Sequence, residues 1–224
     1  MGAKDPERLS GLTSHFRPRL LAVAVLMAAV VAADTVLALT HKYLPFDPPL
    51  AHAIQHVDWG LYGDTFELFT FLGGYLQVAM AVLAVVVVFL LNRPGWPVMA
   101  AGMVEGAIYT GLSALVHRPR PDAQLVHVLV QTPGYGYPSG HAAFYTAWCV
   151  LLLICLGRRF LNRALFIVGW VVVCLVVVTV CISRVAEGTH WPSDVLGGEA
   201  IGIGWTALVL SVRRLSDPVL EPAR

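Results

Sequence analysis

Residues 164–183 read ALFIVGWVVVCLVVVTVCIS, twenty positions without Asp, Glu, Lys or Arg. The β-branched run Val171–Val178 would suit a buried strand in water. The length argues otherwise, because a helix needs about 20 apolar residues to cross the hydrocarbon layer of a bilayer. The segment at about 164–182 therefore reads as a membrane helix, and it has company on both sides. Five further stretches have the same character, at about 20–39, 70–91, 97–116, 139–157 and 194–212. A closed β-barrel would show short alternating segments instead, and the chain has none. The expected fold is all-α, a six-transmembrane helix bundle.

Composition agrees. Of 224 residues, 57% are hydrophobic and 13% are charged, against roughly 25% charged in ordinary soluble domains. Fifteen basic residues face fourteen acidic ones, for a net charge of +1. A disordered chain is excluded by the apolar content. A nucleic-acid binder is excluded by the lack of a basic surplus. The expected organisation is one membrane domain over 20–212, a cytoplasmic N-terminal segment 1–19 and a cytoplasmic tail 213–224.

Proline and glycine punctuate the connections. Asn92-Arg93-Pro94-Gly95 turns the second span into the third. The longer stretch 41–66 holds Pro45, Pro48 and Pro49, then Ala51–Val57, a candidate interfacial helix with Trp59 and Tyr62 near the headgroups. Six spans place the N-terminus, the turns near 92–96 and 158–163, and the C-terminus on one side. That side carries eleven Lys and Arg residues; the other carries only Lys42, Arg118, Arg120 and Arg184. The positive-inside rule makes the first side cytoplasmic. A cleaved signal peptide ending near Val31-Ala32-Ala33 is the competing reading of the first span. Cys149, Cys155, Cys174 and Cys181 all lie within spans, match no zinc spacing and read as packing residues.

Three of the four basic residues on the sparse side sit among other polar groups. Arg118 and Arg120 belong to His117-Arg118-Pro119-Arg120-Pro121, and Arg184 to Ser183-Arg184. Pro138-Ser139-Gly140-His141 opens the fourth span, and His190-Trp191-Pro192-Ser193-Asp194 the sixth. Polar groups converging at one end of an apolar bundle suggest a site. The chemistry they suggest is that of phosphate. Guanidinium groups match phosphate oxygens in pairs. Ser139-Gly140 at a helix start offers N–H groups and a favourable dipole to an anion, and two histidines can divide nucleophile and acid. Asp194, four residues after His190, is placed to orient the imidazole. No His, Asp or Glu cluster has metal spacing, so neither a metal nor a cofactor is expected.

These blocks resemble the signature of the type 2 phosphatidic acid phosphatase superfamily of membrane lipid phosphatases. That signature is Lys, six residues, Arg-Pro; then Pro-Ser-Gly-His; then Ser-Arg, five residues, His, three residues, Asp. The second block stands complete at 138–141 and the third at 183–194; the first survives as Arg120-Pro121, with Ser113 in the lysine position. The resemblance implies a metal-independent hydrolase whose site faces away from the cytoplasm. His190 resembles the nucleophile that becomes a phosphohistidine, Asp194 its orienting partner, and His141 the acid to the leaving oxygen. Arg120, Arg184, Ser139 and Gly140 resemble the phosphate cradle, with Arg118 and Ser113 as further candidates.

Serine offers a hydrogen bond but no charge. Either Arg118 or His117 supplies the charge instead, or the site takes a less charged group. The implied substrate is a lipid phosphate: an isoprenoid (di)phosphate, phosphatidic acid or phosphatidylglycerol phosphate. The expected partners are that substrate and membrane lipids, with no nucleic acid, and the location is the cytoplasmic membrane. Two rival readings keep the same residues: a phosphotransferase of the same fold, and a non-catalytic anion- or lipid-binding or transport protein.

Elsewhere, Asp34, Glu105 and Glu199 fall inside spans. Glu105 lies eight residues before Ser113 on about the same helix face, so it either borders the cavity or bonds a neighbouring helix. Glu187 is a candidate salt-bridge partner near the pocket. Gly73-Gly74 and Gly197-Gly198 suggest close helix packing.

Overall fold

The computed structural model describes residues 15–221. Among these residues ten α-helices of seven residues or more follow in order: α1 (Pro18–Thr40), α2 (Asp47–Gln55), α3 (Gly60–Phe71), α4 (Tyr75–Leu91), α5 (Trp96–Gly102), α6 (Val104–Val116), α7 (Gly140–Leu152), α8 (Arg163–Ala186), α9 (Pro192–Ser211) and α10 (Arg213–Leu220). A 3-10 turn at Arg93–Gly95 precedes α5, and a π-helical turn at Leu153–Gly157 carries α7 on to Phe160. Among the described residues there is no strand, only an isolated bridge between Phe16 and Val212. The all-α expectation is met. Most of the N-terminal segment expected at 1–19 lies outside the described residues.

Among the described residues four helical stretches are long and apolar enough to cross a membrane: Pro18–Thr40, Arg93–Val116, Gly140–Phe160 and Arg163–Ala186. The pair α3 and α4 makes a fifth if its two halves, bent by 81°, count as one. These coincide with five of the expected spans. The sixth, α9, is also helical, yet Ser193, Asp194, Glu199 and four glycines keep its apolarity lower. It can be so because it lies at the centre of the bundle, where protein surrounds it and most of its side chains are buried. By contrast α1 buries only Ala24 and Ala38 and turns Val25, Leu26 and Val36 outward, as a helix bathed in lipid should. The protein is an integral membrane protein.

Small residues set the packing. A Cβ on Gly198 would run into the Ser139 carbonyl, and one on Gly202 would lie 2.7 Å from the Ala143 carbonyl. The backbones of α9 and α7 therefore nearly touch. The Gly197-Gly198 expectation holds in this form. Gly73-Gly74 does something different: Gly74 takes φ 58°, a left-handed conformation natural to glycine, and the helix breaks there.

The two ends of the bundle differ in character. At one end the Arg17 N–H donates to the Ser211 carbonyl at 2.8 Å, and the Arg17 guanidinium binds Asp217 and Glu221 at 2.7 and 2.8 Å. Arg158 reaches the Leu220 carbonyl at 2.8 Å. The stretch expected as a tail is thus mostly α10, a helix folded back on the bundle with Ser216 and Val219 buried. The basic connections gather at this end, and the three motif blocks gather at the other.

Candidate functional site

The polar end is built on a closed network. Arg118 is fully buried; its Nη1 donates to Asp194 Oδ1 at 2.5 Å and its Nη2 to Asp47 Oδ2 at 3.1 Å. Asp47, at the first turn of α2, also accepts from the Ser193 N–H and hydroxyl, at 2.9 and 2.7 Å, and from the Leu44 N–H at 2.7 Å. Asp194 Oδ2 accepts from the Trp191 N–H at 2.9 Å, a carboxylate closing the first turn of its own helix. The Asp194 carbonyl accepts from the Ser139 N–H at 2.9 Å. One network therefore ties α2, the 117–121 loop, the start of α7 and the start of α9.

His190 sits on this frame, 5% exposed. Its Nδ1 donates to the Gly136 carbonyl at 2.7 Å, while Asp194 Oδ2 stands 3.9 Å away. The hydrogen bond that fixes the ring is thus made by a backbone carbonyl, and Asp194 contributes charge from farther off. This differs from the expected direct bond because Arg118 and the Trp191 N–H already hold the carboxylate. With the proton on Nδ1, Nε2 keeps its lone pair. Burial, and then the charges of Arg120, His141 and Arg184, push the imidazole well below its ordinary pKa. Both effects favour the neutral form of the ring.

Arg120 approaches from the 117–121 loop and Arg184 from the last turn of α8. Arg120 Nη1 donates to the Thr189 carbonyl at 2.7 Å and faces His190 Nε2 at 3.3 Å. Its Nε is buried with no hydrogen-bond partner among the described residues. Arg184 pairs with Glu187 at 2.9 Å and donates to Thr70 Oγ1 at 2.7 Å, and Thr70 in turn donates to Glu187. The salt bridge expected of Glu187 is present.

The bend at Gly73-Gly74 completes the opposite wall. Where the helix breaks, the Gly73 N–H turns to the Thr70 carbonyl at 3.2 Å. The Phe69 carbonyl is left for His141 Nε2, which donates to it at 3.2 Å. A Cβ on Gly73 would lie 2.5 Å from that nitrogen, so this position admits only glycine without displacing the ring.

A cavity of about 470 Å³ opens between these walls, lined among others by Ser113, Arg120, Gly140, His141, Arg184 and His190. Six of the nine expected site residues thus share one space. Three do not line it. Ser139 is buried, with its hydroxyl turned back to accept from the Ala142 N–H at 3.5 Å as the cap of α7. Arg118 is held behind the cavity by two carboxylates; buried charges are retained where they are paired. Asp194 stands behind His190. His117, the other candidate to replace the missing lysine charge, stacks edge-on with Tyr135 outside the lining. The sequence reading missed Asp47, Thr70 and the Gly136 carbonyl, and took Gly73 for a packing residue. The turn residues Pro133-Gly134-Tyr135-Gly136 just before Pro138 were the one available signal, for Gly136.

Comparison with known proteins follows the same lines. The model of the PAP2 superfamily matches residues 94–217. The decaprenylphosphoryl-5-phosphoribose phosphatase of Mycobacterium tuberculosis is 36% identical over 123 residues, 54% of this chain and 63% of that protein. Phosphatidylglycerophosphatase B of Haemophilus influenzae is 39% identical over 77 residues, 33% of this chain and 31% of that one. The chain thus spans less than two thirds of the length of these relatives. In fold it is similar to the crystal structure of a PAP2 type phosphatidylglycerolphosphate phosphatase from Bacillus subtilis, with a TM-score of 0.67 and 18% identity over 81% of this chain and 92% of that one. Aquifex aeolicus LpxE gives a TM-score of 0.57 and 22% identity over 75% and 96% of the two chains. The matched segment takes in the three motif blocks, with Ser113 in the lysine position, and more than half the chain, and on that ground this protein belongs to the PAP2 superfamily.

Proposed function

We propose that the protein hydrolyses the phosphate of a lipid at the outer face of the cytoplasmic membrane, through a phosphohistidine on His190. The observation that carries this reading is the tautomer of His190: its Nδ1 proton is bound by Gly136, and its Nε2 lone pair faces the cavity beside Arg120. Nε2 attacks phosphorus, and the bond to the leaving oxygen breaks. His141 protonates that oxygen, and water, activated by the same residue, then cleaves the phosphorus–nitrogen bond. Arg120 and Arg184 meet the charge on the phosphoryl oxygens, which is most of what this reaction asks of a protein. Gly140 lets the ligand approach the start of α7, and Asp194 holds the frame behind the nucleophile.

Six crossings, made by α1, the bent α3–α4 pair, α5–α6, α7, α8 and α9, put both termini on the basic, cytoplasmic side. The pinning of Arg17 to Ser211 and Asp217 supports this arrangement. The phosphatase domain then covers about 20–212, with 1–19 and 213–224 at the cytoplasmic face. The substrate class is a lipid phosphate whose chain lies between helices while its headgroup meets the arginines. The names of the relatives, phosphatases of prenyl-linked and glycerol-linked lipids, support this class.

The test is release of inorganic phosphate from lipid phosphates in detergent with EDTA present. Release by the wild-type protein and none by His190→Ala is the expected result. Release that survives the substitution would overturn the mechanism. Transfer of the phosphoryl group to an acceptor alcohol in place of water would mark the phosphotransferase alternative.

A further inference from the structure

On α6, Glu105, Tyr109 and Ser113 recur every four residues and so share a face. Glu105 lies about 12 Å of helix rise below Ser113. Tyr109 and Gln77 line the phosphate cavity and also a second cavity beneath it, of about 180 Å³, whose walls include Glu105, Phe144 and Trp148. Glu105 is 1% exposed and Gln77 6%. Glu105 Oε1 and Gln77 Nε2 have no hydrogen-bond partner among the described residues. Of the two sequence readings of Glu105, the cavity is the one realised.

Buried polar groups are almost always satisfied, and leaving them open costs stability. An acceptor and a donor kept open beside one cavity therefore point to something that enters it. A hydrocarbon chain would leave both unmet. An anion would face the Glu105 carboxyl. A cation would suit Glu105 but would meet the amide hydrogens of Gln77. A hydroxyl satisfies both at once, donating to Glu105 and accepting from Gln77. The space is several times the roughly 30 Å³ that one water takes in the liquid.

We infer that the lower cavity is a subsite for a hydroxyl-bearing leaving group, a sugar or other polyol set between the scissile phosphate and the lipid chain. The inference rests on the phosphatase reading for the orientation of the ligand. The polyol passes Gln77 and Tyr109 on its way down from the cradle, and its hydroxyls reach Glu105. Simple prenyl phosphates leave the subsite unfilled.

The experiment compares two substrates of equal chain length: farnesylphosphoryl-5-phosphoribose, whose leaving group carries ribose hydroxyls, and farnesyl phosphate, whose leaving group carries none. The wild-type protein is expected to favour the first by at least tenfold in kcat/KM. Glu105→Leu and Gln77→Leu are expected to bring that ratio toward one, mainly through KM, with Glu105→Gln intermediate. The Tm of ligand-free Glu105→Leu is expected to be equal to or above wild type, since a group held open for a ligand costs the free protein stability. A lowered Tm with an unchanged ratio would mark a structural carboxyl and overturn the inference, as would a wild-type ratio near one. If neither substrate is hydrolysed, the phosphatase reading fails on its own. The subsite is then read from calorimetric binding of farnesylphosphoryl-ribose, which carries no scissile phosphate. A Kd at least tenfold weaker in Glu105→Leu supports it, and an unchanged Kd overturns it.

Discussion

Arg118 and Asp194 lie 2.5 Å apart, both with no side-chain exposure, and Asp194 in turn stands 3.9 Å behind the His190 ring. An arginine two residues from a cavity-lining arginine thus works behind the site rather than in it. It spans two carboxylates, and Asp47 is as much a part of the frame as Asp194. Removing one member of a buried ion pair is expensive, because the partners stay buried without their counter-charge.

Arg118→Ala is therefore expected to destabilise the protein by about 3–5 kcal/mol. Asp47→Asn keeps one acceptor for Ser193 and is expected to cost less. Thermal unfolding in detergent, read beside phosphate release, checks both. Wild-type Tm in Arg118→Ala would show that the network is ornamental.

His190 sets a pH dependence. Its folded pKa is pushed well below the usual value, whereas the unfolded imidazole titrates near about 6.5. Below that pH the unfolded chain binds a proton that the folded site refuses, so stability falls as the solution is acidified. The limiting slope is about 1.4 kcal/mol per pH unit. His190→Gln is expected to flatten the fall in Tm between pH 7 and 5. An unchanged slope in that variant would show that the site imidazole titrates normally.

Ser113 lines the cavity beside Arg120 and His190, where the family pattern has lysine. A charge-assisted hydrogen bond contributes about 1.5–3 kcal/mol. Ser113→Lys is expected to raise kcat/KM for a lipid phosphate by about tenfold or more, and to tighten inhibition by inorganic phosphate. No change in either would mean that the native headgroup leaves this corner of the cavity empty.

Gly73 is the tightest contact on the histidine wall. Gly73→Ala is expected to displace His141 and lower kcat by about 10²-fold, the scale of a 1 Å misplacement. The helical circular dichroism should stay at the wild-type level. Full activity would show that the α3–α4 bend yields without moving the ring.

Much of this was legible in the sequence, for reasons that differ by feature. The spans were readable because lipid imposes a length and a composition. Pro138-Ser139-Gly140-His141 and Ser183–Asp194 were readable because charge is scarce here and clustered polar residues stand out. The division of labour between Arg118 and Arg120 was not. Both sit in one short motif, and only the position of Asp47, some seventy residues away, decides which guanidinium is consumed by the frame. Thr70 and the Phe69 carbonyl were invisible for a similar reason. They reach the site only because Gly73-Gly74 breaks the helix by 81°, and a pair of glycines reads equally well as packing. α9 was readable as a helix by position, but its centrality was not, since a helix surrounded by protein needs less apolarity than one facing lipid.

The clasp between Arg17 and the stretch Ser211–Glu221 carries a consequence for how the molecule is made. Helix α1 packs chiefly on α9, about 150 residues later in the chain, and has almost nothing else to lean on. At about 5–20 residues per second of synthesis, α1 waits in the bilayer for on the order of ten seconds before its partner emerges. Its nearly uncharged, outward-facing surface suits that wait, because lipid alone can hold it. Assembly is then decided late, and the polar end closes only once α9 has arrived, with His190 just before it and Asp194 in its first turn.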